Sequence, residues 1–221
     1  PRQWKQDEID LLQELADRVA IAINQAILRD RNRRQNEREA LLRLITNQIR
    51  RTLDLHTIMK TAVREVRKLL DTDRVVIYKF LEGWDGKVVV EDLIVPWPEG
   101  FQEKITDNCF SGEYSQLYLK GRVRGIYDIH NCGLNLCHAN FLDNLQVKAN
   151  LIVPIVFGKN DEENSLLENT SKCDSTQPGL WGLLIAHHCR SIRHWKIEEI
   201  TLLEKLGEQL AVAIYKADIH Q

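Results

Sequence analysis

The sequence predicts an α+β domain: a central antiparallel sheet flanked by helices, with long helices at the N- and C-terminal ends. Three observations carry that prediction. Apolar residues recur at helical spacing at both ends of the chain. Short β-branched runs bounded by turn residues occupy the middle. Those runs do not alternate with helices in the βαβ manner of a parallel sheet.

The elements follow in order. Ile9, Leu12, Leu15, Ala16, Val19, Ala20, Ile23 and Ile27 lie on one helical stripe. Residues 29–39 are almost wholly polar and read as a solvated helical linker. Leu41, Leu42, Leu44, Ile45 and Ile49 resume the stripe. Leu55, Ile58, Met59, Ala62, Val66 and Leu69 make the next helix, with Asp54 where an N-cap belongs. RVVIYKF (74–80) and KVVVEDLIV (87–95), separated by EGWDG, read as a hairpin. Residues 96–149 have the least clear periodicity. NLIVPIVFG (150–158) and LWGLLIAHHC (180–189) are two further strands, joined by the long polar loop 159–179.

The chain also repeats itself. WKQDEIDLLQELADRVAIAINQA (4–26) returns as WKIEEITLLEKLGEQLAVAIYKA (195–217), with Trp4 matching Trp195 and the apolar spacing retained. Two ordinary helices would not share a tryptophan and a spacing by chance, so a tandem array is the simplest account. Residues 1–40 are then expected to be the closing helix of a preceding domain plus a helical linker, and residues 41–221 the domain proper.

Composition narrows the function. Of 221 residues 43% are apolar, enough for a large core, and the formal net charge is −2. No Lys/Arg cluster interleaved with aromatics is present, which argues against nucleic acid as a partner. No apolar run approaches the ~20 residues that a membrane helix needs. No secretory signal is present, and a Pro at position 1 reads as a cut from a longer protein. Five irregularly spaced cysteines argue against a disulfide framework and for a cytoplasmic, reducing compartment, with any membrane tether elsewhere in the full-length protein. Cys189, closing an apolar run, reads as an inert core thiol.

The chemistry concentrates in NCGLNLCHANFL (131–142). A zinc site would want a second ligand pair, which the chain lacks at suitable spacing. A c-type haem anchor needs CxxCH, and CGLNLCH is two residues too long. A nucleophilic Cys137 would need a base that folds back on it, which an adjacent His138 does poorly. A covalent cofactor anchor and a plain helix start with two thiols and a ring both remain open on these residues alone.

The flanks decide. From about Leu41 to His220 the chain resembles the bilin-binding GAF domains of the cyanobacteriochromes, relatives of the phytochromes. CHANFL (137–142) is similar to the family's chromophore-attachment motif, between GRVRGIYDI (121–129) and QVKANLIVPI (146–155), which resemble its flanking segments. TDNCF (106–110) resembles the DXCF signature of one subfamily, and Cys109 lies at that subfamily's distance before Cys137. The loop 159–179 is longer than usual and carries Cys173, a rival to Cys109, because another branch places its second thiol in an insertion. Cys132 is extra and reads as a small residue at a loop or helix start.

The resemblance implies a photosensory module and no enzyme beyond bilin self-attachment and possible bilin isomerisation. The cofactor would be phycocyanobilin or its isomer phycoviolobilin. Cys137 would anchor it by a thioether, and Cys109 would be a second, reversible thiol. Linkage at Cys109 would give a blue- or violet-absorbing state and release a green- to orange-absorbing one. His138 would lie against the pyrroles, with a surface imidazole as the plain reading. Asp107 would accept pyrrole N–H bonds, with an N-cap as the plain reading. Arg122 would pair with a propionate; Arg124 would share its face in an extended segment. Tyr118 would add a hydroxyl, and Trp97 and Phe110 would be pocket walls or core. Only one of His187 and His188 can face inward from a strand. The signal would pass through the terminal helices, as a parallel homodimer, to a kinase, cyclase or chemotaxis-type output domain. The alternatives are a GAF domain binding a cyclic nucleotide or other small ligand, and a purely dimerising one.

Overall fold

The structure, a computed structural model, describes residues 2–52, 54–81, 86–94, 113–157 and 179–219. It divides into two units, Pro1–Ala40 and Leu41–Gln221. Helix α1 (Gln6–Arg51) takes in the two predicted stripes and the polar linker as one helix. Ion pairs at helical spacing, such as Arg18–Glu14 at 2.6 Å and Arg34–Asp30 at 2.9 Å, support its polar surface.

In the second unit, α2 (Leu55–Leu70) starts on Asp54, whose carboxylate accepts from Thr57 N at 3.3 Å. It ends at Asp71, which adopts the left-handed conformation, with Thr72 N bonded to Arg67 O. Strands β1 (Arg74–Phe80), β2 (Gly86–Leu93), β3 (Arg124–Ile126), β4 (Ala149–Phe157) and β5 (Gly179–His188) form one sheet in the order β2-β1-β5-β4-β3, every pairing antiparallel. Helices α3 (Glu113–Leu119), α4 (Leu136–Asn144) and α5 (Ile197–Ile219) complete it.

Strand alternation sorts the sheet into two faces. Val75, Ile77, Leu151, Val153, Ile155, Leu184 and Ala186 face α2 and α5, which pack on them through Ile58, Ala62, Val66, Leu203, Leu206 and Leu210. Removing each such side chain from water contributes roughly 2 kcal/mol. Gly207 of α5 is needed there, since a Cβ would stand 3.0 Å from Pro154 O. The opposite face carries Val76, Tyr78, Phe80, Ile152, Leu183 and Ile185.

Two elements in the weakly periodic stretch were not expected. Helix α3 ends at Gly121, which takes φ +84°, and Arg122 N bonds back to Leu117 O at 3.0 Å. Strand β3 is three residues long, too short for an alternation signal. Its edge is covered by Trp195, whose Nε1 donates to Ile126 O at 3.2 Å.

Candidate functional site

The face opposite α2 and α5 carries Tyr118, and α4 with His138 packs beside it. Its floor is apolar and aromatic: Tyr78 and Phe80 meet edge-to-face at 5.2 Å, and Tyr118 of α3 is buried with them against Ile152 and Leu183. Gly86 leaves the space that the Tyr78 ring fills, since a Cβ there would stand 2.2 Å from it.

A polar row crosses the same face. Arg74 on β1 pairs in register with His187 on β5, and His187 with Asn150 on β4. All three are buried, Arg74 completely. Arg74 Nε faces Glu91 Oε1 at 3.1 Å, so the buried guanidinium is charge-balanced. Burial, then the charge of Arg74 and the nearness of His138, hold His187 down at about 3, so its imidazole is neutral near pH 7. Asn150 Oδ1 is buried with no hydrogen-bond partner among the described residues.

The end of β5 is fixed from below. Asp73, 1% exposed, accepts from Cys189 N at 2.7 Å and from Arg190 Nε at 2.8 Å. Thr72 Oγ1 donates to His187 O at 2.6 Å. His187 is therefore held on the aromatic face. His188 points the other way, its Nδ1 3.4 Å from Asp73 Oδ2. The expectation that only one of the two histidines faces inward resolves to His187.

Helix α4 places Cys137 and His138 in its first turn, with Ala139 N bonded to Asn135 O at 2.9 Å. His138 is half-buried, its ring stacked near Phe141 at 6.2 Å and close enough to His187 to act on its charge. Leu142, at 2% exposed, pins the helix onto Val76 and Ile126. Cys132 is half-buried in the same cluster, its thiol donating to Ile129 O at 3.7 Å. Cys189 is buried, and burial pushes its thiol up to about 11, as an inert core residue requires.

Arg122 follows the turn that closes α3, its N–H bonded to Leu117 O at 3.0 Å, and Arg124 opens β3. Trp97, Asp107, Cys109, Phe110 and Cys173 lie outside the described residues. Among those that are described, no group of three or more His, Cys, Asp or Glu is arranged to hold a metal ion, and no helix is long and apolar enough to cross a membrane. Arg74, Tyr78 and Asn150 were missed in the sequence. Their signal was a polar or hydroxyl-bearing residue at alternate positions of an otherwise apolar strand.

This face can do three things chemically. It offers a flat conjugated group an aromatic floor, presents neutral and cationic nitrogen donors to polar edges, and stands beside a helix start that carries a thiol-bearing residue.

The profile of the GAF domain family matches residues 54–214. Over 219 residues the chain is 31% identical to a Synechocystis protein described as a methyl-accepting chemotaxis protein, covering 99% of this chain and 20% of that one. It is 34% identical over 200 residues to the circadian input-output histidine kinase CikA of Synechocystis, covering 80% of this chain and 24% of the kinase. The chain thus spans a quarter or less of the length of these two relatives. Among solved structures it is similar to the GAF domain of the cyanobacteriochrome TePixJ, with a TM-score of 0.61, 31% identity, and coverage of 78% of this chain and 96% of that one. It is also similar to a phycocyanobilin-bound GAF domain from a cyanobacterial phytochrome, with a TM-score of 0.69, 28% identity, and coverage of 83% and 97%.

Proposed function

The chain belongs to the GAF domain family, and from that premise we propose that it is a photosensory module holding a linear tetrapyrrole covalently at Cys137. The observation that carries the reading is the buried face of Tyr78, Phe80 and Tyr118 crossed by Arg74, His187 and Asn150, next to the α4 start that bears Cys137 and His138. The donor set fits such a group. A linear tetrapyrrole is flat and apolar across its rings and polar along its edges, and it needs a slot of that character. The buried Asn150 Oδ1 is an acceptor that a pyrrole N–H or a bridging water would satisfy. Light absorption and isomerisation are the chemistry such a group supplies when bound.

The residues of the chain do the rest. Cys137 anchors through a thioether. His138 lies against the ring plane, and neutral His187 donates or accepts one hydrogen bond without adding charge. Arg122 pairs with a propionate, and Asp107 accepts from ring N–H groups. Tyr118, Trp97 and Phe110 wall the slot. Cys109 supplies a second, reversible thiol and with it a blue- or violet-absorbing state and a green- to orange-absorbing one. The cofactor is phycocyanobilin or phycoviolobilin.

The output domain lies elsewhere in a longer polypeptide and is of kinase, cyclase or chemotaxis type; the kinase and chemotaxis descriptions of the relatives support this. Ile197, Val212 and Tyr215, exposed on α5, would form a parallel dimer contact through which the signal passes.

The test is co-production with phycocyanobilin, followed by absorbance spectra before and after illumination. A coloured, reversibly photoconverting protein is expected, and a colourless one overturns the reading. Cys109→Ser should keep attachment and lose the blue-absorbing state, while Cys173→Ser should change little. The reverse result would move the second thiol to the 159–179 loop.

A further inference from the structure

Behind the row of Arg74, His187 and Asn150 stands a second buried polar cluster, on the far side of the β5 end. Its centre is Asp73, 1% exposed. Asp73 Oδ2 accepts from Cys189 N at 2.7 Å and from Arg190 N at 3.2 Å, and Oδ1 pairs with Arg190 Nε at 2.8 Å. The backbone N of Asp73 donates to His187 O at 3.2 Å, the carbonyl that Thr72 Oγ1 also reaches. One residue thus holds the chain on both sides of His188.

His188 sits between these bonds and is itself buried. Its Nδ1 stands 3.4 Å from Asp73 Oδ2 and has no hydrogen-bond partner among the described residues. Its Nε2 lies 3.4 Å from Oγ of Ser191, which is exposed. A neutral imidazole carries one ring proton and keeps the other nitrogen as an acceptor, whereas a charged ring donates from both. A proton taken up from solvent on the Ser191 side therefore leaves a buried Nδ1–H that must meet an acceptor. The carboxylate oxygen at hand is Asp73 Oδ2, which already receives two backbone N–H groups.

The surrounding charges set the balance. Burial lowers His188 below its ordinary 6.5, opposed by Asp73; Arg193 and Arg190 act with burial, and Asp71 acts with Asp73. Lys148, just before β4, turns its Nζ to Asp143 at 3.2 Å. The ring is neutral at neutral pH and takes its charge as the solution becomes acidic.

We propose that His188 is a proton-operated regulator of the ligand face. Its charged ring draws Asp73 away from Cys189 N and Arg190 N, loosens the last residues of β5, and moves His187 on the other side of the strand. Control of pigment colour by this route rests on the bilin reading of that face; the movement of His187 does not.

Nuclear magnetic resonance of the bilin-free 221-residue chain reads the switch directly. From about pH 8 to about pH 5, the range in which histidines titrate, the His188 ring and the amides of His187, Cys189 and Arg190 should titrate together, with one midpoint below 6.5. In His188→Gln those amides should lose that titration. Amides that titrate unchanged in the variant overturn the proposal. So does a His188 ring that titrates in the unmodified chain without moving them, a result that does not depend on the variant folding. In the phycocyanobilin-loaded protein the absorbance maximum should shift with the same midpoint, and His188→Gln should lack that shift while attaching bilin equally. A coloured protein whose spectrum is flat through that midpoint overturns the regulation and leaves the bilin reading standing. A protein that never takes up colour overturns the bilin reading, and the amides then decide the coupling of His188 to His187.

Discussion

The face of the sheet under α2 and α5 and the face under α3 and α4 alternate residue by residue along the same strands, yet they solve different problems. Under α2 and α5 nearly every inward side chain is aliphatic. That face needs volume and shape alone, and packing supplies its stability. The other face keeps a buried arginine, a neutral histidine and an amide among aromatics. Such groups cost stability unless something meets them, and Glu91 meets the arginine; this is the face we propose for the bilin. Changes on one face should move stability, and changes on the other should move binding and colour.

The largest expected effect is on the ligand face. Cys137→Ala should abolish denaturant-resistant zinc fluorescence of the bilin band on a gel while leaving the unfolding midpoint of the bilin-free protein nearly unchanged. A band as bright as the parent would break the comparison. The mirror experiment is Leu206→Ala on the helix face, at a fully buried position. It should cost about 2–5 kcal/mol in urea unfolding, and the folded fraction should still attach bilin. Attachment lost at a denaturant concentration where the variant is still folded would count against the separation of faces.

A smaller effect is pH-dependent. Folding holds His187 neutral, down at about 3 against an ordinary 6.5. The unfolded chain therefore takes up the extra proton as pH falls. Stability from this group is complete above the ordinary histidine value and declines as pH drops from 6.5 toward 3. The slope from one such histidine approaches about 1.4 kcal/mol per pH unit. His188, also lowered by burial, adds in the same direction, opposed by Asp73. Asp54, Glu65 and Asp128 are held below the usual carboxylate range by their hydrogen bonds and act at lower pH. His187→Gln should thus flatten urea-unfolding stability between pH 6.5 and about 5, the part of the window above the carboxylates. An unchanged slope would show that His187 is already charged or exposed. The smallest effect is expected at Asn150→Leu. With its Oδ1 unmet by the described residues, the change should alter bilin-free stability by less than about 1 kcal/mol. In the pigmented protein it should still shift the absorbance maximum, and a stability loss well above that figure would place Asn150 in the structural framework.

Much of the fold was legible. RVVIYKF and the run after it paired as a hairpin, because β-branched residues bounded by a Gly-rich turn leave few other arrangements. Asp54 caps α2, as its position before an amphipathic stripe requires. Strand β3 and helix α3 were not legible, since three and seven residues are too few for periodicity to register.

On its own the sequence determined the α+β class, the terminal repeat, and the Cys137–His138 pair with its flanking motifs, because periodicity and spacing are local properties of a chain. Only the tertiary structure decided that His187 and not His188 faces the site, and that Arg74 and Asn150 stand in its row. Those facts depend on strand register, which residues far apart in sequence set together. Asp73 and Thr72 fix the end of β5, and β1 and β4 align on it from either side. A one-residue slip in any pairing would have exchanged the faces, and no local pattern records which register wins.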